Sequence, residues 1–140
     1  MRLYKEGATR NDATGKFNYE GFFSPLFVHA YGEYMHEHRR QADGTLRPAD
    51  NWQKGIPLQD YMDSGWRHFF DWWAIHDGYA VYKETTIDAD KQTIETTHIL
   101  IKALTKLPKT WRRVTLQEAT SGLFFNLQGY TDRALKGYEK

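Results

Sequence analysis

The fold is decided by residues 58–77, which read LQDYMDSGWRHFFDWWAIHD and are followed by Gly78. Apolar positions recur there with the period of an α-helix, and glycine is a common residue just past a helix end. We therefore predict a helix over this segment. Its apolar side is expected to be buried in the core, and the aromatic residues of that side are Trp66, Phe69 and Trp73.

Two further segments have the same helical pattern. Residues 21–41 contain apolar positions about one helical turn apart, with Ser24 as a cap and Pro25 as the first helical residue. Residues 115–136 begin with Thr115, and Glu118 occupies the matching capping-box position. Three amphipathic helices in one short chain predict a mainly α fold, a small helical bundle.

The other segments are an arm, a loop and an insertion. Residues 1–18 are polar and predict an extended arm. Residues 42–57 contain several glycines and prolines, and a loop of that length is often functional. Residues 80–87 suit a strand, whereas residues 99–107 could form a helix or a second strand. We expect an irregular or β-hairpin insertion around 80–114 within one domain, 1–140.

Composition limits the class of protein. The 140 residues amount to one domain of 16.5 kDa. The absence of cysteine excludes disulfide scaffolds, thiol catalysis and cysteine-ligated zinc. A net charge of +1 argues neither for a nucleic-acid binder nor for a membrane-surface protein, and we expect no nucleic-acid polymer and no membrane as partner. No apolar run reaches the ~20 residues of a membrane span, and the N-terminus has no signal-peptide pattern. We expect a cytoplasmic domain.

Carboxylates recur at helical spacing on the polar sides of the first two helices. Glu33 and Glu37 lie on the first, and Asp63 and Asp71 on the second. Two such helices packed face to face can hold a divalent cation between four oxygen ligands. Oxygen ligands suit Mg²⁺ or Mn²⁺, and these ions suit phosphate substrates. The alternative is that each polar side is a solvated helix surface.

The loop before the second helix contains groups that could hold a nucleotide. Trp52 could stack on a base, and Lys54, next to Gly55, could contact a phosphate. The alternative for Trp52 is a packing role where the loop enters the helix. For His68 the two alternatives are likewise a binding role and a packing role, because an isolated histidine beside an aromatic residue is more often part of the core than a ligand.

Three segments together resemble a known family. Residues 51–57 read NWQKGIP, residues 66–73 read WRHFFDWW, and residues 123–130 read LFFNLQGY. With Gly15 and Lys16 in the arm, they resemble a phage-borne family described as dATP/dGTP diphosphohydrolase-like. That family is distantly similar to the MazG-type all-α NTP pyrophosphohydrolases.

The resemblance implies an activity and a set of site residues. The activity would be Mg²⁺-dependent hydrolysis of a (deoxy)nucleoside triphosphate to monophosphate and pyrophosphate, in the cytoplasm of a phage host. We expect a homo-oligomer, because a small helical bundle rarely forms a deep nucleotide pocket alone and the many aromatic residues fit a large buried interface. The metal ligands and general base would come from Glu33, Glu37, Asp63 and Asp71. The substrate would be held by Lys16, Asn51, Trp52, Lys54, Arg67 and His68.

The sequence departs from that pattern in its acids. MazG-type enzymes bind Mg²⁺ through an E-x-x-E pair and an E-x-x-D pair, and neither pair is present here as written. A second hypothesis is therefore a protein that binds a nucleotide, or a cyclic-nucleotide immune signal, without turning it over. A third is an interaction module whose polar helix sides are ordinary surface.

Overall fold

The computed structural model describes residues 1–12, 14–41 and 43–137. Residue 13 of the expected arm and residue 42 of the expected loop lie outside these ranges. The elements follow the chain as β1 (Arg2–Leu3), β2 (Thr9–Arg10), α1 (Pro25–Glu37), α2 (Leu58–His76), β3 (Ala80–Ile87), β4 (Thr93–Leu100), β5 (Trp111–Arg113) and α3 (Leu116–Leu135).

The three predicted helices are confirmed, together with their caps. The Ser24 hydroxyl accepts a hydrogen bond from the Phe27 backbone N–H at 3.2 Å, at the start of α1. The Thr115 hydroxyl does the same for the Glu118 N–H at 3.1 Å, at the start of α3. None of the helices in the described ranges combines the length and apolar character that a membrane span needs.

The prediction of a mainly α fold is wrong. The chain is 43% helix and 19% strand, a mixed α/β domain. β3 forms the centre of an antiparallel sheet in the order β4–β3–β5, and residues 101–107 form neither a helix nor a strand. The β-hairpin expected around 80–114 is confirmed by β3 and β4. The sheet belongs to the core, because Val81 and Val114 are part of it.

α2 and α3 pack closely in antiparallel directions. A methyl group added at Gly129 would overlap the ring of Tyr61, and one at Gly122 would overlap the imidazole of His68. The two contacts are seven residues apart on each helix and run in opposite order. The glycines therefore let the helix backbones approach where larger side chains would hold them apart.

The core is small and leaves the aromatic side of α2 outside it. Ala74 of α2 and Ala119 of α3 meet the sheet residues Val81 and Val114. The expectation that the aromatic residues of α2 are buried is wrong, because the helix uses Tyr61 and His68 to contact α3 and turns the other side outward. The exposed fractions are 65% for Trp66, 38% for Phe69 and 51% for Trp73.

Candidate functional site: an arginine-lined cleft

A tight hairpin follows the C-terminal end of α1. The Arg47 N–H donates to the Arg39 carbonyl oxygen at 2.7 Å, and Arg40 pairs with Leu46 in an isolated antiparallel bridge. Gly44 makes the turn possible because its φ of 87° suits glycine. The hairpin thus turns the chain back so that residue 47 lies opposite residue 39.

This geometry places two arginines directly opposite each other. The Arg39 Nε donates to the Arg47 carbonyl oxygen at 2.7 Å, and Arg40 donates from a terminal guanidinium nitrogen to the Gly44 carbonyl oxygen at 3.1 Å. Within the described residues, none of these three arginines forms an ion pair with a carboxylate. Like charges opposite each other repel, so an anion between them would stabilise the pair.

The arginines line a cleft of about 740 Å³. The cleft lies between the hairpin, the end of α1 and the facing sides of α2 and α3, and its volume is in the range of small-molecule sites. Glu37 is the one carboxylate among its described lining residues, against three arginines. Other lining residues include Tyr34, His36, His38, Asn51, Ser64, His68, Phe125 and Asn126.

Neutral polar groups from α2 and α3 line the inner side of the cleft. Burial lowers the pKa of His68, partly opposed by the nearby Asp71 carboxylate, so its imidazole is neutral at pH 7. The Asn126 amide donates to the Gly122 carbonyl oxygen at 2.7 Å and to the Ser64 hydroxyl at 3.2 Å. These groups offer hydrogen bonds without adding negative charge.

An aromatic side of the cleft comes from α1 and α3. The rings of Tyr34 and His38 stack with centroids 3.9 Å apart, and the His38 Nδ1 lies 2.8 Å from the Tyr34 carbonyl oxygen. Burial, reinforced by the charge of Glu118, raises the pKa of Tyr34 to about 12. Its hydroxyl therefore stays protonated at neutral pH. With Phe125, these rings supply flat surfaces suited to a nucleobase.

Two of the predicted metal ligands lie on separate helix surfaces. The Glu33 carboxylate accepts a hydrogen bond from the Gln117 amide at 2.8 Å, which ties α1 to α3. The Asp63 carboxylate accepts one from the Gln59 amide at 2.8 Å, one turn away on α2. Both acids are already engaged by neutral amides.

The other two predicted metal ligands also lie apart. Asp71 is buried and forms an ion pair with Lys83 of β3 at 2.9 Å, whereas Glu37 lines the cleft. Within the described ranges, no group of three or more histidine, aspartate or glutamate side chains is arranged to hold a metal ion. The expected four-carboxylate arrangement is thus not formed, because α1 packs against α3 rather than face to face with α2.

The predicted substrate-binding residues divide between the cleft and other surfaces. Asn51 and His68 line the cleft. Lys16 is exposed in the arm, and Arg67 is exposed on α2 outside the cleft lining. Lys54 lies 3.7 Å from the Asp50 carboxylate in a solvent-exposed ion pair, also outside the lining.

Trp52 has a packing role in the structure. Its carbonyl oxygen accepts a hydrogen bond from the Tyr61 hydroxyl at 2.6 Å, which fastens the loop to α2. Its ring faces the Lys136 ammonium at 5.9 Å, in cation–π contact. The ring is half-buried and does not line the cleft.

The sequence reasoning missed Arg39 and Arg47 as site residues. The available signal was the Arg39–Arg40 pair at the end of a predicted helix, followed by a third arginine, Arg47, beyond the glycine turn at Gly44. Helical spacing does not predict that these two arginines are neighbours, because a hairpin rather than a helix brings them together.

Comparison of the chain with family models, with curated proteins and with solved structures found no match in any of the three. The resemblance to the diphosphohydrolase-like family therefore stays a prediction, and the function is argued from the cleft itself.

Proposed function

We propose that the chain binds a nucleotide, or another small molecule derived from one, in the arginine-lined cleft without turning it over. The observation that carries this proposal is the placement of Arg39 opposite Arg47 with no carboxylate paired to either in the described residues. Guanidinium groups bind phosphate through two parallel hydrogen bonds, so this pair suits a phosphate group.

The other sides of the cleft fit the rest of a nucleotide. The stacked Tyr34 and His38 rings and the Phe125 ring offer surfaces for a base. The side chains of Asn51 and Asn126 are both hydrogen-bond donors and acceptors, which suits the edge of a base or a sugar hydroxyl. A phosphate-binding side and an aromatic side in one cleft are the two elements that nucleotide recognition needs.

Binding without turnover is favoured by the distribution of acids. Hydrolysis of a phosphoanhydride needs an activated water and neutralised phosphates, commonly supplied by metal ions held on carboxylates. Glu37 is the one acid among the described lining residues, while Asp71 is committed to Lys83. In this proposal Mg²⁺ or Mn²⁺ enters with the phosphates of the ligand rather than through a protein cage.

A protein that binds its ligand without consuming it acts by sequestration. Its effect depends on its own concentration, because each binding site removes one ligand molecule from solution. A phage protein that lowers the free concentration of a cyclic-nucleotide immune signal in the host cytoplasm would work in this way. The Mg²⁺-dependent pyrophosphohydrolase implied by the resemblance stays a prediction that the same experiment tests.

The experiment combines a binding measurement with product analysis. The pure protein is titrated calorimetrically with ribonucleoside and deoxyribonucleoside triphosphates and with cyclic dinucleotides, once with Mg²⁺ and once with EDTA, and each mixture is then separated by ion-exchange chromatography. Binding with unchanged ligand is the expected result. Release of monophosphate and pyrophosphate with Mg²⁺ would establish the hydrolase instead. If no ligand binds at millimolar concentration, the third hypothesis, an interaction module, is the one that remains.

A further inference from the structure

The chain exposes more surface than a compact monomer of its mass. Its accessible surface is 11232 Å², whereas a compact monomer of 16.5 kDa exposes about 7,500 Å². The difference is roughly 3,700 Å² for one chain, and obligate homodimers bury roughly 2,000–5,000 Å² in total, which is roughly 1,000–2,500 Å² per subunit. Part of the difference belongs to the extended residues 1–23, and another part to the aromatic side of α2.

Four large apolar side chains of α2 form one exposed row, which we call the α2 seam: Met62, Trp66, Phe69 and Trp73. The Trp66 and Phe69 rings meet edge to face with centroids 5.9 Å apart, and the Phe70 ring meets Trp73 in the same way at 6.2 Å. Beside the seam, an apolar groove of about 330 Å³ runs between α2 and α3. Monomeric proteins rarely leave so large an apolar surface uncovered.

The spacing of the seam suits a second copy of the chain as its partner. Successive seam residues are four, three and four positions apart, the spacing of a helix that pairs with another helix. This order reads the same in both directions about a point between residues 67 and 68. An antiparallel copy therefore places Met62 opposite Trp73 of the partner subunit, and Trp66 opposite Phe69 of the partner subunit.

We propose that the chain forms a two-fold symmetric dimer in which α2 packs antiparallel against α2 of the second copy. A two-fold interface uses the same surface on both subunits, and the α2 seam is complementary to itself in this sense. The groove beside it is an apolar space for the partner's aromatic rings. Aromatic residues and methionine are the types enriched at such interfaces.

The dimer leaves the arginine-lined cleft accessible. Ser64 and His68 line that cleft on one flank of the α2–α3 contact. Met62, Trp66 and Phe69 of the seam line the groove on the other flank. Loss of the dimer and loss of ligand binding are therefore separate outcomes. Phe70 and Trp72 of α2 are also partly exposed, at 46% and 37%.

The mass in solution tests the dimer. Sedimentation equilibrium of the wild type is expected to give about 33 kDa, twice the chain mass of 16.5 kDa. Trp66→Glu should give the monomer mass with an unchanged far-ultraviolet circular dichroism spectrum. Ile101→Glu is the control, an apolar residue off the seam that is 82% exposed against 65% for Trp66, and it should remain a dimer. If Trp66→Glu does not fold, Trp66→Ser removes the ring without adding a charge and gives the same readout.

A charge exchange tests the antiparallel register. Met62→Lys and Trp73→Glu should each give a monomer, because each buries two unpaired charges in the dimer. The double variant should recover the dimer, since each lysine then meets a glutamate of the partner subunit. A wild type of 16.5 kDa at 50 µM, or a dimer that survives Trp66→Glu, would overturn the proposal. A monomeric double variant would overturn the register.

Discussion

Replacing Asp71 by alanine is expected to lower the free energy of unfolding by about 3–5 kcal/mol, the cost of leaving one member of a buried ion pair alone. The Asp71 carboxylate lies 2.9 Å from the Lys83 ammonium, and the two side chains are 4% and 12% exposed. Lys83 also donates to the Thr97 hydroxyl at 2.6 Å, which holds its ammonium in place after the carboxylate is gone.

Urea unfolding followed by circular dichroism measures this loss. With a slope of about 2 kcal/mol/M, the midpoint should fall by about 1.5–2.5 M. Asp63→Ala is the control on the same helix. Its carboxylate is exposed and accepts a hydrogen bond from the Gln59 amide, so its loss should change stability by less than ~0.5 kcal/mol. Removing both charges with Asp71→Leu and Lys83→Met should recover most of the loss.

The reasoning is refuted if Asp71→Ala costs less than about 1 kcal/mol, the level of a surface ion pair. It is also refuted if the double variant is no more stable than Asp71→Ala. The metal-ligand hypothesis for Asp71 predicts a different pattern, in which stability without metal is unchanged and nucleotide turnover is lost.

Three further predictions concern the cleft and its surroundings. Burial lowers the pKa of His68 in the folded chain below the ordinary histidine pKa of ~6.5. As the pH falls, the unfolded chain therefore binds the proton before the folded chain does. Stability should therefore fall between about pH 7 and pH 5, and thermal melts of His68→Gln should show a smaller fall. Gly122→Ala should cost about 1–3 kcal/mol in urea unfolding because its methyl group meets the imidazole, whereas Gly32→Ala, with open space around it, should stabilise α1 by about 0.5–1 kcal/mol. Lys54→Ala should change the melting stability by less than ~0.5 kcal/mol and leave nucleotide affinity within about twofold in calorimetry, because the Lys54 contact is an exposed ion pair with Asp50.

The helices could be predicted because their signals are local. Ser24 and Thr115 cap the helices that follow them, and the apolar period of residues 58–77 extends to the glycine that follows α2. Hydrogen bonds between residues that are close in sequence determine where each helix begins and ends. The ends can therefore be predicted from the sequence. The sheet is different, because β3 pairs with residues up to 31 positions away in β5, as in Tyr82 with Arg113.

The period of the apolar residues in α2 could not predict which side of the helix packs against α3 and which side is exposed. The period shows that one side is apolar, but the choice of side for packing depends on Gly122 and Gly129 in α3, about 60 residues along the chain. The cleft was hidden for a similar reason. Arg39 and Arg47 become neighbours only through the turn at Gly44, and a helical reading of the preceding segment separates them.

The central claim is that the Arg39–Arg47 pair holds a phosphate group, and calorimetric titration with inorganic triphosphate in EDTA tests it without regard to the base. Arg47→Ala should weaken binding about 10- to 150-fold, because hydrogen bonds to charged groups contribute about 1.5–3 kcal/mol. The control, Arg10→Ala in the exposed arm, should stay within about twofold of the wild type. No binding by the wild type at millimolar triphosphate, or equal affinities of the wild type and Arg47→Ala, would contradict the account.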